Sequence, residues 1–233
     1  MASFVKESIE SSNHKCVGMY DPLGNGNYKD LKEIVNKIDG IIDFSHFSLT
    51  EEILKYAIEI NSPLVIATTG HTDEQKLKIE EASKKIAILK ATNTSLGVNI
   101  MNQIVSYATK LLADFDIELI EKHHNRKIDA PSGTAATLLE VINESLSEKK
   151  NFVYGREGNK KREKNEIGVH AIRAGNIVGE HTVIFSSGDE IIEIKHEALS
   201  RKIFADGAVK AILSLINKPS GLYLMKDILN INN

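Results

Sequence analysis

Short apolar runs alternating with amphipathic helical patterns fill the first half of the chain, and this rhythm restricts the fold more than any other feature. Apolar runs that lack polar alternation are buried on both faces, as in a parallel sheet covered by helices. Residues 16–20, 40–44, 64–67 and 86–89 are the predicted strands. Between them, Ser48 with Glu51 reads as a capping box opening a helix over 48–61, with Ile53, Ala57 and Ile60 on its apolar face. Pro63 resets the chain, and Thr72 with Gln75 predicts a second box and a helix to about Lys85. Residues 1–10 also read as a helix.

The pattern changes at Gly97. A long helix ends near Asp114, and in residues 116–121 Ile117 and Leu119 alternate with charged neighbours, as in a strand with one covered face. Ser132, preceded by Pro131, is placed to cap a helix through Thr137, Leu138, Val141 and Ile142. After a polar loop over 149–165 come three runs, 167–172, 177–185 and 190–195, separated by Ala174-Gly175-Asn176 and Ser187-Gly188-Asp189. Turn chemistry of that kind predicts an antiparallel sheet. A last helix, 200–217, stops before Pro219. The expected architecture is α/β: a Rossmann-like parallel-sheet domain from residues 1–96 and 205–233, and an α+β substrate-binding and oligomerisation domain, 97–204, with an open, mainly antiparallel sheet.

Composition narrows the function classes. With 42% hydrophobic and 26% charged residues in 233, the chain can bury a core and has no transmembrane-length apolar run. The mixed-charge start carries no secretory pattern, so a cytoplasmic protein without a membrane partner is expected. A formal net charge of −3 gives no general attraction to nucleic acid. The single cysteine, Cys16, rules out an internal disulfide and a multi-cysteine zinc site, and packing is its expected role. Lys160, Lys161, Arg162 and Lys164 are interleaved with Glu157, Glu163 and Glu166, which reads as a solvated loop.

The densest chemistry lies in Glu121-Lys122-His123-His124-Asn125-Arg126-Lys127-Ile128-Asp129-Ala130-Pro131-Ser132-Gly133-Thr134. A helix start at Ser132, Gly133 and Thr134 offers backbone N–H groups and a positive dipole end to a carboxylate or phosphate. Arg126 or Lys127 adds a cation, and a histidine titrating near neutrality can pass a proton. A zinc reading of His123 and His124 is weaker, because adjacent strand residues face opposite ways and no third ligand stands at a motif spacing; no metal is expected. His14, His46 and His71 read as ordinary surface or core residues, and His170, His181 and His196 take the same reading.

This block resembles the signature of the 4-hydroxy-tetrahydrodipicolinate (dihydrodipicolinate) reductases, Glu-x-His-His followed by a lysine and Asp-Ala-Pro-Ser-Gly-Thr. The likeness continues through Ile167-Gly168-Val169-His170-Ala171-Ile172-Arg173-Ala174-Gly175, Ile177-Val178-Gly179-Glu180-His181-Thr182, Ser200-Arg201 with Phe204-Ala205, and Ser220-Gly221-Leu222-Tyr223. Upstream, Asp43-Phe44-Ser45, Thr68-Thr69-Gly70 and residues 93–99 look like the family's cofactor-facing loops. The resemblance implies reduction of a cyclic imine dicarboxylate with NADH or NADPH in diaminopimelate and lysine biosynthesis. His123 would then exchange the proton, with Lys127 as second donor, and His124, Ser132, Gly133 and Thr134 would hold the dicarboxylate. Asp21, Ala67, Thr68, Thr69, Thr92, Asn93, Thr94 and Ser95 would face the nucleotide. Many members have glycine where this chain has Ala67 and an aromatic residue where it has Thr94. A homotetramer built through the second domain's sheet is also implied.

A dinucleotide-binding unit opens with a strand and a Gly-rich turn about twenty residues before an acidic residue for the ribose hydroxyls. Asp21 fits that acidic position, while Met1 falls on the methionine ending the family's turn, so about ten residues of strand and turn are expected to be missing. Either the sequence starts at an internal methionine or the pyrophosphate cradle is lacking, and weak cofactor binding is expected. Asp21-Pro22 without an adjacent arginine favours NADH over NADPH. Two alternatives stay open: a catalytically silent, truncated paralogue that binds a dicarboxylate or a partner, and a metal hydrolase using His123 and His124.

Overall fold

The computed structural model describes residues 1–228. The chain forms two compact units, one from Met1–Leu96 together with the chain from Arg201 onward, the other Gly97–Ser200.

In the first unit β1 (Ile41–Asp43), β2 (Leu64–Ile66), β3 (Ala87–Lys90) and β9 (Gly221–Tyr223) form a wholly parallel sheet in the order β1-β2-β3-β9. The apolar runs are uniform because both faces are covered. Leu64, Ile66 and Ile88 pack with Ile53, Leu54 and Ala57 of α2 (Thr50–Glu59) and Ile79 and Ala82 of α3 (Asp73–Ser83). Val65, Ala87 and Leu89 pack with Ala208, Ala211, Ile212 and Leu215 of α6 (Lys202–Leu215). Each buried valine, leucine or isoleucine among them contributes about 1.5–3 kcal/mol. α1 (Ala2–Ser11) lies against α6, where the Ser8 hydroxyl donates to Asp206 Oδ1 at 2.7 Å. The Thr72–Gln75 capping box is present in both directions.

Two expectations fail here. Residues 16–20 form no strand, because their backbone groups close a loop on itself. Asn27 and Tyr28 donate to the Met19 carbonyl and Asp21 N–H to Tyr28 O, leaving one isolated bridge between Tyr20 and Tyr28. Gly26 permits this closure, since a Cβ there would sit 2.3 Å from Met19 O. The Ser48 box is also absent: a 3-10 turn, Phe47–Leu49, precedes α2, and His46 Nδ1 accepts from Ser48 N–H instead.

The second unit carries β4 (Asp116–His123), β5 (Asn151–Tyr154), β6 (Glu166–Arg173), β7 (Gly179–Ser187) and β8 (Glu190–Ala198), in the order β5-β6-β4-β7-β8. The sheet is mixed rather than mainly antiparallel. β4 pairs parallel with β6 and antiparallel with β7, β5 pairs parallel with β6, and only β7 and β8 form the expected hairpin. Alternation fixes which residues share a face but not which strand lies alongside, and β4 inserts between two runs that are neighbours in sequence. β5 forms inside the polar segment 149–165, whose composition predicts a loop. Met101 and Val105 of α4 (Leu96–Leu111) and Ala135, Leu138, Leu139 and Ile142 of α5 (Gly133–Ser145) cover one face, over Ile117, Leu119, Ile167, Val169, Val183 and Phe185.

The other face is polar and partly open. There Glu118 accepts from Arg162 Nε at 3.2 Å and meets His170 Nε2 at 3.0 Å, and Gly168 makes room, since a Cβ would fall 1.7 Å from Glu118 Oε2. Arg162, expected in a solvated loop, is anchored to this face and also donates to Asp116 Oδ1 at 2.6 Å. Among the described residues no helix is long and apolar enough to cross a membrane.

Candidate active site

β4 is buried at Ile117, Leu119, Glu121 and His123, so its covered-face register runs from aliphatic to ionisable residues toward the strand end. A charged residue continuing an apolar register must find partners, because a buried charge left unpaired is strongly destabilising. Glu121 has four. Oε2 lies 2.5 Å from His123 Nδ1 and accepts from Arg173 Nη1 at 2.7 Å; Oε1 accepts from Arg173 Nη2 at 2.6 Å and from Ser132 N–H at 3.0 Å. Burial alone would push the Glu121 carboxyl up, but the bonds from His123 and Arg173 outweigh it and bring the group down to about 2.

Ser132 caps α5 as expected, its Oγ accepting from Ala135 N–H at 3.2 Å. The same Oγ lies 2.9 Å from Nε2 of His181, whose ring stands edge-on to His123 with centroids 5.2 Å apart. Burial, reinforced by His123, lowers His181 to about 3, so it is neutral at physiological pH. Gly133 opens α5 into free space, with nothing within 4 Å of where a Cβ would stand. Thr134 follows it, half-buried.

The segment between β4 and α5 is tied to the β6–β7 connection, which crosses over β4 rather than forming the expected hairpin turn. Ala174 N–H donates to His123 O, Asn125 N–H to Gly175 O, and both Arg126 Nη atoms to Asn176 Oδ1. Arg126 is thereby occupied. Lys127 Nζ pairs with Asp129 Oδ1 at 2.8 Å, while Arg173 Nη2 donates to Asp129 O at 2.7 Å. His124 is half-buried at the start of the segment, and the Ala130–Pro131 bond is cis. The structure thus gathers His123, His124, Lys127, Ser132, Gly133 and Thr134 at the junction of β4 and α5. Glu121, Arg173 and His181 were given no role from sequence. The parity of Glu121 with Ile117 and Leu119 was the available signal for the first; the other two depend on strand order.

In the first unit the nucleotide candidates follow the carboxyl ends of parallel strands, where open α/β sheets bind ligands. Ala67, Thr68 and Thr69 follow β2, and Thr92, Asn93, Thr94 and Ser95 follow β3. Ala67 N–H donates to Asp43 O, Thr68 Oγ1 to Ser45 O at 3.1 Å, and Ala91 N–H to Ile66 O, so the three loops are mutually braced. Thr94 Oγ1 donates to Phe204 O at 2.7 Å, and Gly207 lets α6 approach, since a Cβ there would meet Thr94 O at 1.8 Å. Asp43 is buried, with Oδ1 accepting from Ser45 N–H and Oδ2 lacking a partner among the described residues. An orphaned carboxylate oxygen at this edge suits a ligand that brings a hydroxyl or amide donor. Asp21 instead stands in a turn with both carboxylate oxygens occupied, by Leu23 N–H and by Asn25 Nδ2.

Comparison with known proteins agrees with this build. Residues 1–94 match the family model described as dihydrodipicolinate reductase, N-terminus, and residues 97–229 the one described as dihydrodipicolinate reductase, C-terminus. The 4-hydroxy-tetrahydrodipicolinate reductase of Brachyspira hyodysenteriae is 47% identical over 230 residues, spanning 98% of this chain and 95% of that one. The corresponding reductase of Clostridium tetani is 50% identical over 193 residues, 82% of this chain and 76% of the relative. Among solved structures, the dipicolinate-bound dihydrodipicolinate reductase from Paenisporosarcina sp. TG-14 shares the fold at a TM-score of 0.75 and 22% identity, covering 99% of this chain and 94% of that one. The protein is therefore an enzyme of the reductase class, with a nucleotide-binding N-terminal domain. More narrowly, the chain belongs to the dihydrodipicolinate reductase family.

Proposed function

We propose that the chain reduces 4-hydroxy-tetrahydrodipicolinate to tetrahydrodipicolinate with NADH or NADPH, on the route through diaminopimelate to lysine. The observation that carries this reading is the buried Glu121–His123 pair set beside the N-terminal end of α5 in a chain of this family. The bound nucleotide supplies the hydride. One proton is also taken up, and the 4-hydroxyl departs as water. His123 exchanges the proton, Lys127 supplies a second donor once its pairing with Asp129 is exchanged for substrate, and His124, Ser132, Gly133 and Thr134 seat the carboxylates. Ala67, Thr68, Thr69 and the segment from Thr92 to Ser95 are the nucleotide contacts, joined by Asp43.

Asp21 without an adjacent arginine favours NADH, once its turn bonds from Leu23 N–H and Asn25 Nδ2 give way to ribose hydroxyls, since a carboxylate repels a 2′-phosphate. The open face of the second unit's sheet, with exposed Ile172 and Ile191 among charged neighbours, is the surface through which we infer a homotetramer. Nucleotide oxidation should depend on the dicarboxylate substrate, with a higher kcat/KM for NADH; absence of substrate-dependent oxidation of either nucleotide defeats the reading. Light scattering tests the assembly, and a monomer at micromolar concentration defeats that part alone.

A further inference from the structure

Within the reductase reading, on which this rests, we infer that Glu121 is a positioning residue: its one buried carboxylate selects the tautomer of His123, clamps Arg173 and pins the start of α5. Geometry carries the inference. Both oxygens are shared by donors from three parts of the unit: His123 two residues along β4, Arg173 on β6, and the backbone N–H of Ser132 before α5. Arg173 extends the same tie to the Asp129 carbonyl, and Asp129 in turn holds Lys127. Both proposed proton donors and the carboxylate seat are therefore referred to one carboxylate, which itself has no exposed surface for a ligand.

A carboxylate held ionised accepts hydrogen bonds and donates none. Neutral His123 must then carry its hydrogen on Nδ1, toward Glu121, which leaves Nε2 as the atom that takes up and releases the proton. Nε2 points past Gly179, where a Cβ would stand 3.1 Å away, so the glycine keeps that atom approachable. Neutral His181 beside it does not compete as a second cation. The same logic operates where an aspartate orients a catalytic imidazole, and the amide replacement there costs about 10⁴ in rate because the tautomer is wrong.

A purely structural Glu121 would tolerate an isosteric amide once the protein folds. Glu121→Gln must instead turn an NH₂ toward His123, Arg173 or Ser132, all of which donate. We expect kcat to fall about 100-fold, KM for the dicarboxylate to change less than about threefold, and the folded variant to lose the Nδ1–H tautomer. The readouts are steady-state kinetics and imidazole ¹⁵N NMR of the full chain, with a His123→Gln spectrum assigning the resonance. Wild-type kcat in a folded Glu121→Gln protein overturns the inference. If that variant does not fold, the wild-type spectrum still decides: Nδ1 protonated and Nε2 bare supports it, and the reverse tautomer overturns it. A wild-type chain that shows the Nδ1–H tautomer yet oxidises neither nucleotide with substrate defeats the reductase reading and leaves the positioning geometry standing.

Discussion

β4 carries two glutamates three residues apart, each meeting a histidine and an arginine, on opposite faces of one strand. Glu121 with His123 and Arg173 lies on the covered face; Glu118 with His170 and Arg162 lies on the open one. The residue types match, but the side chains of Glu121 and His123 are 0% and 11% exposed, against 24% and 34% for Glu118 and His170. On the open face of the single subunit water screens the charges and can replace a lost partner, so such a network adds little to the subunit's own stability. On the covered face no solvent substitutes, and removing Glu121 leaves the Arg173 guanidinium and the Ser132 N–H without their buried acceptor. Residue identity does not make the site. Burial beside the start of a helix does.

The contrast can be broken most decisively by function. His123→Gln combined with Lys127→Ala should reduce kcat by about 10²–10⁴ while a pyridine-2,6-dicarboxylate analogue still binds. His170→Gln should leave kcat unchanged; equal effects from the two faces would end the distinction. In stability, Glu121→Ala should lose about 3–5 kcal/mol in urea denaturation, whereas Glu118→Ala should lose about 1 kcal/mol or less.

Acid should weaken the covered face. The folded values of Glu121, about 2, and His181, about 3, both lie below the ordinary values of 4.5 and 6.5. The unfolded chain then binds more protons, and stability must fall as pH drops. The His181 contribution is complete above pH 6.5 and lost down to about 3; that of Glu121 is complete above 4.5 and lost down to about 2. Urea midpoints of the wild type should decline through this window, and His181→Gln should flatten the part above pH 4.5, with the remainder carried by His71 and His196, which burial also lowers. A flat profile would show that neither group is linked to folding. A smaller effect is expected from Gly179→Ala, which crowds His123 Nε2: kcat down roughly tenfold, or about 1.4 kcal/mol, with little change in thermal midpoint.

Much of this was legible in the chain. Uniform apolar runs give the parallel sheet, Thr72 with Gln75 gives the start of α3, and Ser132 gives the start of α5, because these signals act over a few residues. Residues 16–20 misled because an apolar run records hydrophobicity, not whether its backbone will pair with a sheet or close on its own loop. Ser48 misled because His46 offered the same N–H an acceptor. The candidate site was legible as a cluster but not as a mechanism: His123 and Lys127 stood out by type, while Arg173 and His181 looked ordinary.

By itself the sequence determined that Ile117, Leu119, Glu121 and His123 share a face, since side chains alternate along any strand, and that Ser132 starts a helix. Only the tertiary structure decided that β6 and β7 flank β4. That choice brings Arg173 onto Glu121 from 52 residues away and sets His181 of β7 opposite Glu121. Strand order is settled by burying a whole face and pairing every backbone group at once, a requirement that no local pattern in the chain can express.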